Sequence, residues 1–160
     1  MDTQPTAWIG IDPGKTGAIA FLRRNAAESR SIPYIGDDPD VVLIARWFRE
    51  FSIGEHPVVA LEFQQAMPGQ GVVSMFVLGK GYGMLLATCG LSGIATHLPR
   101  PAQWKKDLGI PPKSDKDYSR QLAQRLFPEV DLHLKKDHGR AEALLLAYWC
   151  QKQEGRTRGD

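Results

Sequence analysis

The run Pro57-Val58-Val59-Ala60-Leu61-Glu62-Phe63 constrains the fold more than any other stretch of the chain. A strand on a half-exposed sheet alternates polar and apolar residues. Here five apolar residues follow one another before the first charge, so both faces of the strand must be covered, as in the parallel or mixed sheet of an α/β protein. The run also ends on a carboxylate. A charged group at the end of a doubly covered strand needs a partner, and no basic residue stands beside Glu62 in the sequence. A bound cation is one candidate.

The rest of the chain punctuates into elements around that strand. Ala7-Trp8-Ile9-Gly10-Ile11 is a short apolar run ending at Asp12-Pro13-Gly14, strand followed by turn chemistry, and Gly17 to Leu22 follows at hairpin distance. A third, weaker strand is expected near Ser31 to Ile35. Val41 to Phe51 carries Val42, Ile44, Ala45, Phe48 and Phe51 at helical spacing, with Pro39 where a first-turn proline is tolerated. Beyond Glu62 the pattern predicts a long helix over Val72 to Cys89 and a strand over Gly93 to Leu98. A short helix over Pro101 to Leu108, a turn at Pro111-Pro112 and a helix from Asp115 to Phe127 come next. The last helix spans His138 to Gln153, and a polar, frayed tail spans Glu154 to Asp160. Strands followed by alternating strands and helices, without a linker, predict a single α/β domain over residues 1–160 with a mixed central sheet of about five strands flanked by helices.

Composition narrows the function. Hydrophobic residues at 42% and charged residues at 24% exclude a disordered chain. The net charge of +2 excludes a generic polycation, so any affinity for nucleic acid must come from where the charge lies. It is uneven. Arg100 to Arg125 holds Arg100, Lys105, Lys106, Lys113, Lys116, Arg120 and Arg125 against Asp107, Asp115 and Asp117, a net +4, which leaves −2 for the remainder. Cys89 and Cys150 lack metal-site spacing and read as reduced, partly buried thiols. No basic, apolar leader opens the chain, and the apolar stretch Met84 to Leu98 falls short of a membrane span. An intracellular, cytoplasmic protein is expected.

Four carboxylates sit where an α/β sheet exposes its strand ends or where a helix begins: Asp12, Glu62, Asp137 and Glu142. Singly, each reads as a cap or a solvated charge. Together, as an oxygen-only set without cysteine, they suit Mg²⁺ or Mn²⁺. Two such ions, about 4 Å apart, activate water and stabilise the leaving oxygen in phosphodiester cleavage. A basic segment beside an acidic cluster is what a metal-dependent enzyme acting on a polyanion requires. Gly10 to Thr16 imitates a phosphate-binding loop but has one residue too few before Gly14-Lys15, and Asp12 would face the phosphates, so Lys15-Thr16-Gly17 reads as a hairpin turn whose lysine could reach a DNA phosphate. Gly79, Gly81 and Gly83 interrupt the long helix. They fit either tight core packing or a dimer or DNA-facing surface, with Phe76 a base-stacking wedge if exposed.

Five segments, in order along nearly the whole chain, resemble the RuvC-type Holliday junction resolvases of the RNase H-like superfamily. Ile9-Gly10-Ile11-Asp12-Pro13-Gly14 with Thr16-Gly17 is similar to that family's first acidic motif, Ala60-Leu61-Glu62-Phe63-Gln64 to the second, and Ser74 to Gly83 to the helix after it. Trp104-Lys105-Lys106 with Ser114-Asp115-Lys116 resembles the lysine-bearing segment. Asp137-His138-Gly139-Arg140-Ala141-Glu142 resembles the C-terminal acidic helix in its phage and chloroplast form. The resemblance implies an RNase H-like fold, a homodimer, two Mg²⁺ or Mn²⁺ ions per site and paired nicks in four-way DNA. It implies Asp12, Glu62 and Glu142 as ligands with Asp137 or His138 as the fourth, Asp137 being preferred as a carboxylate. It places Lys116 and Lys105 or Lys106 beside the scissile phosphate, and Lys113, Arg140, Lys80 and Phe76 along the DNA. Less selective branched-DNA or RNA–DNA hybrid cleavage, and junction binding without catalysis, are the alternatives.

Overall fold

The computed structural model describes residues 5–156, apart from the Lys116 side chain. Five strands form one sheet in the order β3-β2-β1-β6-β7: β1 (Ala7–Asp12), β2 (Ala18–Arg23), β3 (Ala26–Ser31), β6 (Pro57–Leu61) and β7 (Ala95–His97). β1 pairs antiparallel with β2, and β2 with β3. β6 runs parallel to β1, and β7 to β6. A two-stranded ribbon, β4 (Tyr34–Ile35) with β5 (Asp38–Pro39), precedes α1 (Val41–Phe51), which Asp40 caps by accepting the Leu43 N–H at 3.0 Å. The mixed five-stranded sheet agrees with the expectation from the sequence.

Side-chain alternation divides the core into two layers. Trp8, Ala18, Ala20, Leu22, Val58 and Ala60 face one side, packed under α3 (Pro101–Asp107), α4 (Lys116–Leu126) and α5 (His138–Arg156). Ala7, Ile9, Ile11, Ile19, Phe21, Val59 and Leu61 face the other, against α1 and α2 (Val72–Leu91). Val58 to Leu61 are all buried, as the run that opens the sequence argument requires. Cys89 and Cys150 are buried free thiols, and burial pushes the first up to about 11 and the second to about 12.

Two elements differ from the sequence reading. The third strand lies at Ala26–Ser31, joined to β2 by a two-residue turn at Arg24-Asn25, while Tyr34–Ile35 belongs to the ribbon. β3 is an edge strand with most of its side chains in solvent, so its sequence lacks the apolar signal that marks central strands. The long helix begins at Val72 and is twenty residues of mostly apolar composition, enough by length and composition to cross a membrane. Met84 to Leu98 was therefore the wrong window. Only 17% of that helical span is buried. Gly79 and Gly83 face open space and Gly81 meets only the Pro39 ring at 3.7 Å, so tight core packing does not explain them. α5 continues past Gln153 to Arg156, and residues 157–160 of the expected tail lie outside the described residues.

Candidate functional site

Strand register sets the first two carboxylates side by side. Ile11 of β1 is the partner of Leu61 of β6, and the Glu62 N–H donates to the Ile11 carbonyl at 3.0 Å, carrying the parallel ladder one residue past β6. Asp12 and Glu62 share the parity of Trp8, Gly10, Val58 and Ala60, which places both on the α5 side of the sheet at its C-terminal edge.

Helix α5 crosses directly over that edge. A Cβ on Gly10 would stand 1.9 Å from the Ala143 carbonyl oxygen, and one on Gly139 would stand 2.0 Å from that of Thr16. Neither position admits a side chain, so the first turns of the helix lie in backbone contact with β1 and with the turn after Asp12. Glu142 lies between these two contacts.

Helix α3 closes the third side. The Phe63 N–H donates to the Pro99 carbonyl at 2.9 Å, and Arg100 lies 4.7 Å over the Phe63 ring, so the chain leaving Glu62 is fastened to the chain entering α3. Pro101 starts the helix. Trp104, fully buried, donates its indole N–H to Glu62 Oε2 at 2.7 Å, and Gln64 donates to Oε1 at 3.2 Å. The next residue, Lys105, places its ammonium 2.9 Å from Glu142 Oε1.

Glu62 is only 7% exposed, and burial pushes its carboxyl above the ordinary range. The Glu142 charge pushes the same way; Trp104, Lys105 and Gln64 oppose and do not cancel the effect. Asp12 bears on the opposite wall, where burial first and the Asp12 charge second raise the Tyr34 hydroxyl. Burial, more than neighbouring charge, therefore disfavours the ionised form of Glu62. The oxygen-only donors Asp12, Glu62 and Glu142 are of the type a hard divalent cation prefers.

The four acids do not close on one point in this conformation: among the described residues no three His, Cys, Asp or Glu side chains are grouped as ion ligands. Glu142 is turned to Lys105. Asp137, buried, accepts the Leu134 N–H at 3.0 Å and lies 3.4 Å from Arg140, so it closes the 3₁₀ turn Lys135–Asp137. His138, one turn before Glu142, contacts the Lys135 carbonyl through Nδ1 at 3.2 Å.

The expected DNA contacts divide into free and engaged groups. Lys106 and Lys113 are exposed, and Lys113 is the one non-glycine residue with positive φ (61°) among the described residues. Phe76 is 68% exposed, with Lys80 5.9 Å from its ring centre. Lys80 itself pairs with Asp38 at 2.6 Å, and Lys15 with Asp37 at 2.5 Å. Arg140 is engaged within the chain: it donates to Ser29 Oγ at 3.2 Å and to the Asp131 carbonyl at 3.1 Å, tying β3 to the loop before α5. Lys116 opens α4, and its side chain lies outside the described residues. Trp104 and Gln64 were given no role from the sequence, since a tryptophan 42 residues from Glu62 carries no local signal of a hydrogen bond to it.

No protein-family model matches the chain. Over 103 residues, 61% of the chain, it is 36% identical to the chloroplastic Holliday junction resolvase MOC1 of Chlamydomonas reinhardtii, and it spans 12% of that protein's length. Its structure is similar to that of Thermus thermophilus RuvC in complex with a Holliday junction substrate (TM-score 0.66, 19% identity, 96% of each chain covered). It is also similar to a second Thermus thermophilus RuvC structure (0.60, 19%, 92% of this chain and 96% of that one). The yeast mitochondrial Holliday junction resolvase Ydc2 matches at 0.53 with 17% identity, over 97% of this chain and 83% of that one. The fold is that of RuvC, an RNase H-like sheet with flanking helices.

Proposed function

We propose that this chain, built on the RuvC fold and related in sequence to a junction resolvase, is a divalent-metal-dependent endonuclease that nicks four-way DNA junctions on symmetrically opposed strands. The observation that carries the proposal is the buried Glu62 carboxylate, one residue past the Ile11–Leu61 register pair and so beside Asp12, with Glu142 on the helix that lies in backbone contact with β1.

In this reading Asp12, Glu62 and Glu142 hold the cations, and Asp137 supplies the fourth position through whichever lone pairs its turn and Arg140 leave available. Mg²⁺ or Mn²⁺ bound there, two per site, supplies a more acidic water and positive charge against the phosphoryl oxygens. The protein does the rest. The α3 and α5 walls fix the carboxylates, and Lys105 and Lys116 set positive charge beside the scissile phosphate, offsetting charge that develops in the transition state. Lys106 and Lys113 hold the flanking backbone. Attack by water in line with the 3′-oxygen leaves 5′-phosphate and 3′-hydroxyl ends.

Two-fold symmetry supports a homodimer. Val72, Phe76, Gly79, Gly83, Leu86 and Gly90 form one exposed stripe along α2 at alternating spacings of four and three. An apolar stripe interrupted by glycines allows a second copy of the helix to approach closely, and a two-fold dimer presents one site to each of two opposed strands of a junction.

The test is cleavage of a synthetic four-way junction in Mg²⁺ or Mn²⁺, with cut sites mapped beside a fork, an RNA–DNA hybrid and a plain duplex. Symmetric nicks in the junction, abolished by Asp12→Asn with binding retained, are expected. Equal cutting of all substrates would replace junction selectivity with general nuclease activity, and tight binding without cutting in either metal would make the protein a junction binder.

A further inference from the structure

Two adjacent residues of α3 reach two carboxylates of the site, Glu62 and Glu142, by different chemistry. Trp104 contributes a neutral indole N–H to Glu62 at 2.7 Å, and Lys105 contributes a full positive charge to Glu142 at 2.9 Å. Trp104 is fully buried and locked, its ring packed among Val58, Ala60 and Ile110 in the core layer under α5. Lys105 is different: about a third of its side chain is in solvent, on a flexible stem. One group cannot leave and the other can.

We propose that Trp104 and Lys105 are positioning residues with opposite effects on cation binding: Trp104 orients Glu62 for a divalent cation, whereas Lys105 occupies Glu142 in its absence and must yield it. The inference rests on the metal-site reading above and adds a division of labour to it. A neutral donor on one carboxylate oxygen leaves the other available and adds no charge that repels an incoming ion, so it stays in place as the site fills. An ammonium on Glu142 relieves the repulsion between Glu142 and buried Glu62 while no ion is bound, and it competes directly with one that arrives. Once displaced, the same ammonium is within a side chain's length of a phosphate held at the site.

Mn²⁺ binding to the intact protein, followed by electron paramagnetic resonance of free Mn²⁺ and without any substrate, separates the two roles by sign. Trp104→Phe keeps the ring and removes the N–H; its Mn²⁺ affinity is expected to fall about tenfold, the lower end of what loss of a group orienting a metal ligand costs. Lys105→Gln is expected to raise Mn²⁺ affinity severalfold. It is also expected to lower the melting temperature in EDTA but not in saturating Mn²⁺, whereas a merely structural role would lower both equally. Lys105 has about a third of its side chain in solvent, so the Lys105→Gln arm stands even if Trp104→Phe fails to fold. If the unaltered protein binds no Mn²⁺, the metal-site reading falls and this inference with it. If the unaltered protein binds Mn²⁺ but Lys105→Gln weakens it, or a folded Trp104→Phe binds as before, the division of labour alone is overturned.

Discussion

Gly10→Ala probes how α5 aligns the site. A Cβ at this position would stand 1.9 Å from the Ala143 carbonyl oxygen and 2.4 Å from the Ala147 nitrogen. Ordinary van der Waals contact begins at 3.4 Å, so α5 and β1 must separate by about 1.5 Å or tilt by an equivalent amount. Both partners are backbone and neither can rotate away. Overpacking of this kind costs about 1–3 kcal/mol, which for a domain of this size lowers the melting temperature by roughly 3–10 °C. The catalytic cost should be larger, because Glu142 is adjacent to Ala143 and moves with it, and misplacement by about 1 Å can cost a hundredfold in rate. The assay pairs differential scanning fluorimetry with single-turnover junction cleavage and with junction binding in Ca²⁺. The expected result is a folded, less stable protein that binds junctions and cuts them about a hundredfold more slowly. Gly155→Ala, in the same helix with open space at its Cβ, is the control and should stabilise by up to about 1 kcal/mol. Wild-type cleavage and melting in Gly10→Ala would refute the close crossing as the device that places Glu142.

Other perturbations test the surrounding claims. Because burial raises the Glu62 carboxyl in the folded protein, the unfolded chain releases that proton first, and metal-free stability should fall as pH rises from the ordinary carboxylate range to the raised value. Glu62→Gln should remove that slope and gain about 1 kcal/mol above it, roughly 2–4 °C in EDTA, while abolishing cleavage; pH-resolved melting curves check this. Arg140→Met leaves buried Asp137 without its counter-charge and Ser29 without its donor, so thermal melting should show a loss of about 2 kcal/mol, a structural effect that a phosphate-contact role would not produce. Gly83→Glu places like charges on the exposed α2 stripe of both copies while improving helix propensity by up to about 1 kcal/mol; sedimentation should show a monomer of undiminished melting temperature.

Central elements were legible because their sequences answer to local rules. The doubly covered strand announced itself by unbroken apolar residues, α1 by its period, and the two strand-end acids by their position against an apolar background; the cap of α1 is Asp40, so Pro39 precedes the helix rather than sitting in its first turn. What escaped depends on tertiary placement. β3 reads Ala-Ala-Glu-Ser-Arg-Ser because an edge strand hides little, so nothing in its composition separates it from a loop. The bond from Arg140 to the Ser29 hydroxyl, 111 positions away, leaves no mark in the sequence either. The Trp104 bond to Glu62, 42 positions away, is invisible in the sequence for the same reason. Nor does the sequence show the donors that two of the acids meet: Lys105 for Glu142, and the Leu134 N–H and Arg140 for Asp137.

The most direct test of the central claim is an anomalous-scattering map of crystals soaked in Mn²⁺ at a concentration that supports junction cleavage. The account predicts peaks at the C-terminal edge of β1 and β6, with carboxylate oxygens of Asp12, Glu62 and Glu142 as ligands and the Lys105 ammonium withdrawn from Glu142. Ordered Mn²⁺ bound elsewhere, or these three carboxylates unmoved and without an ion, would contradict it.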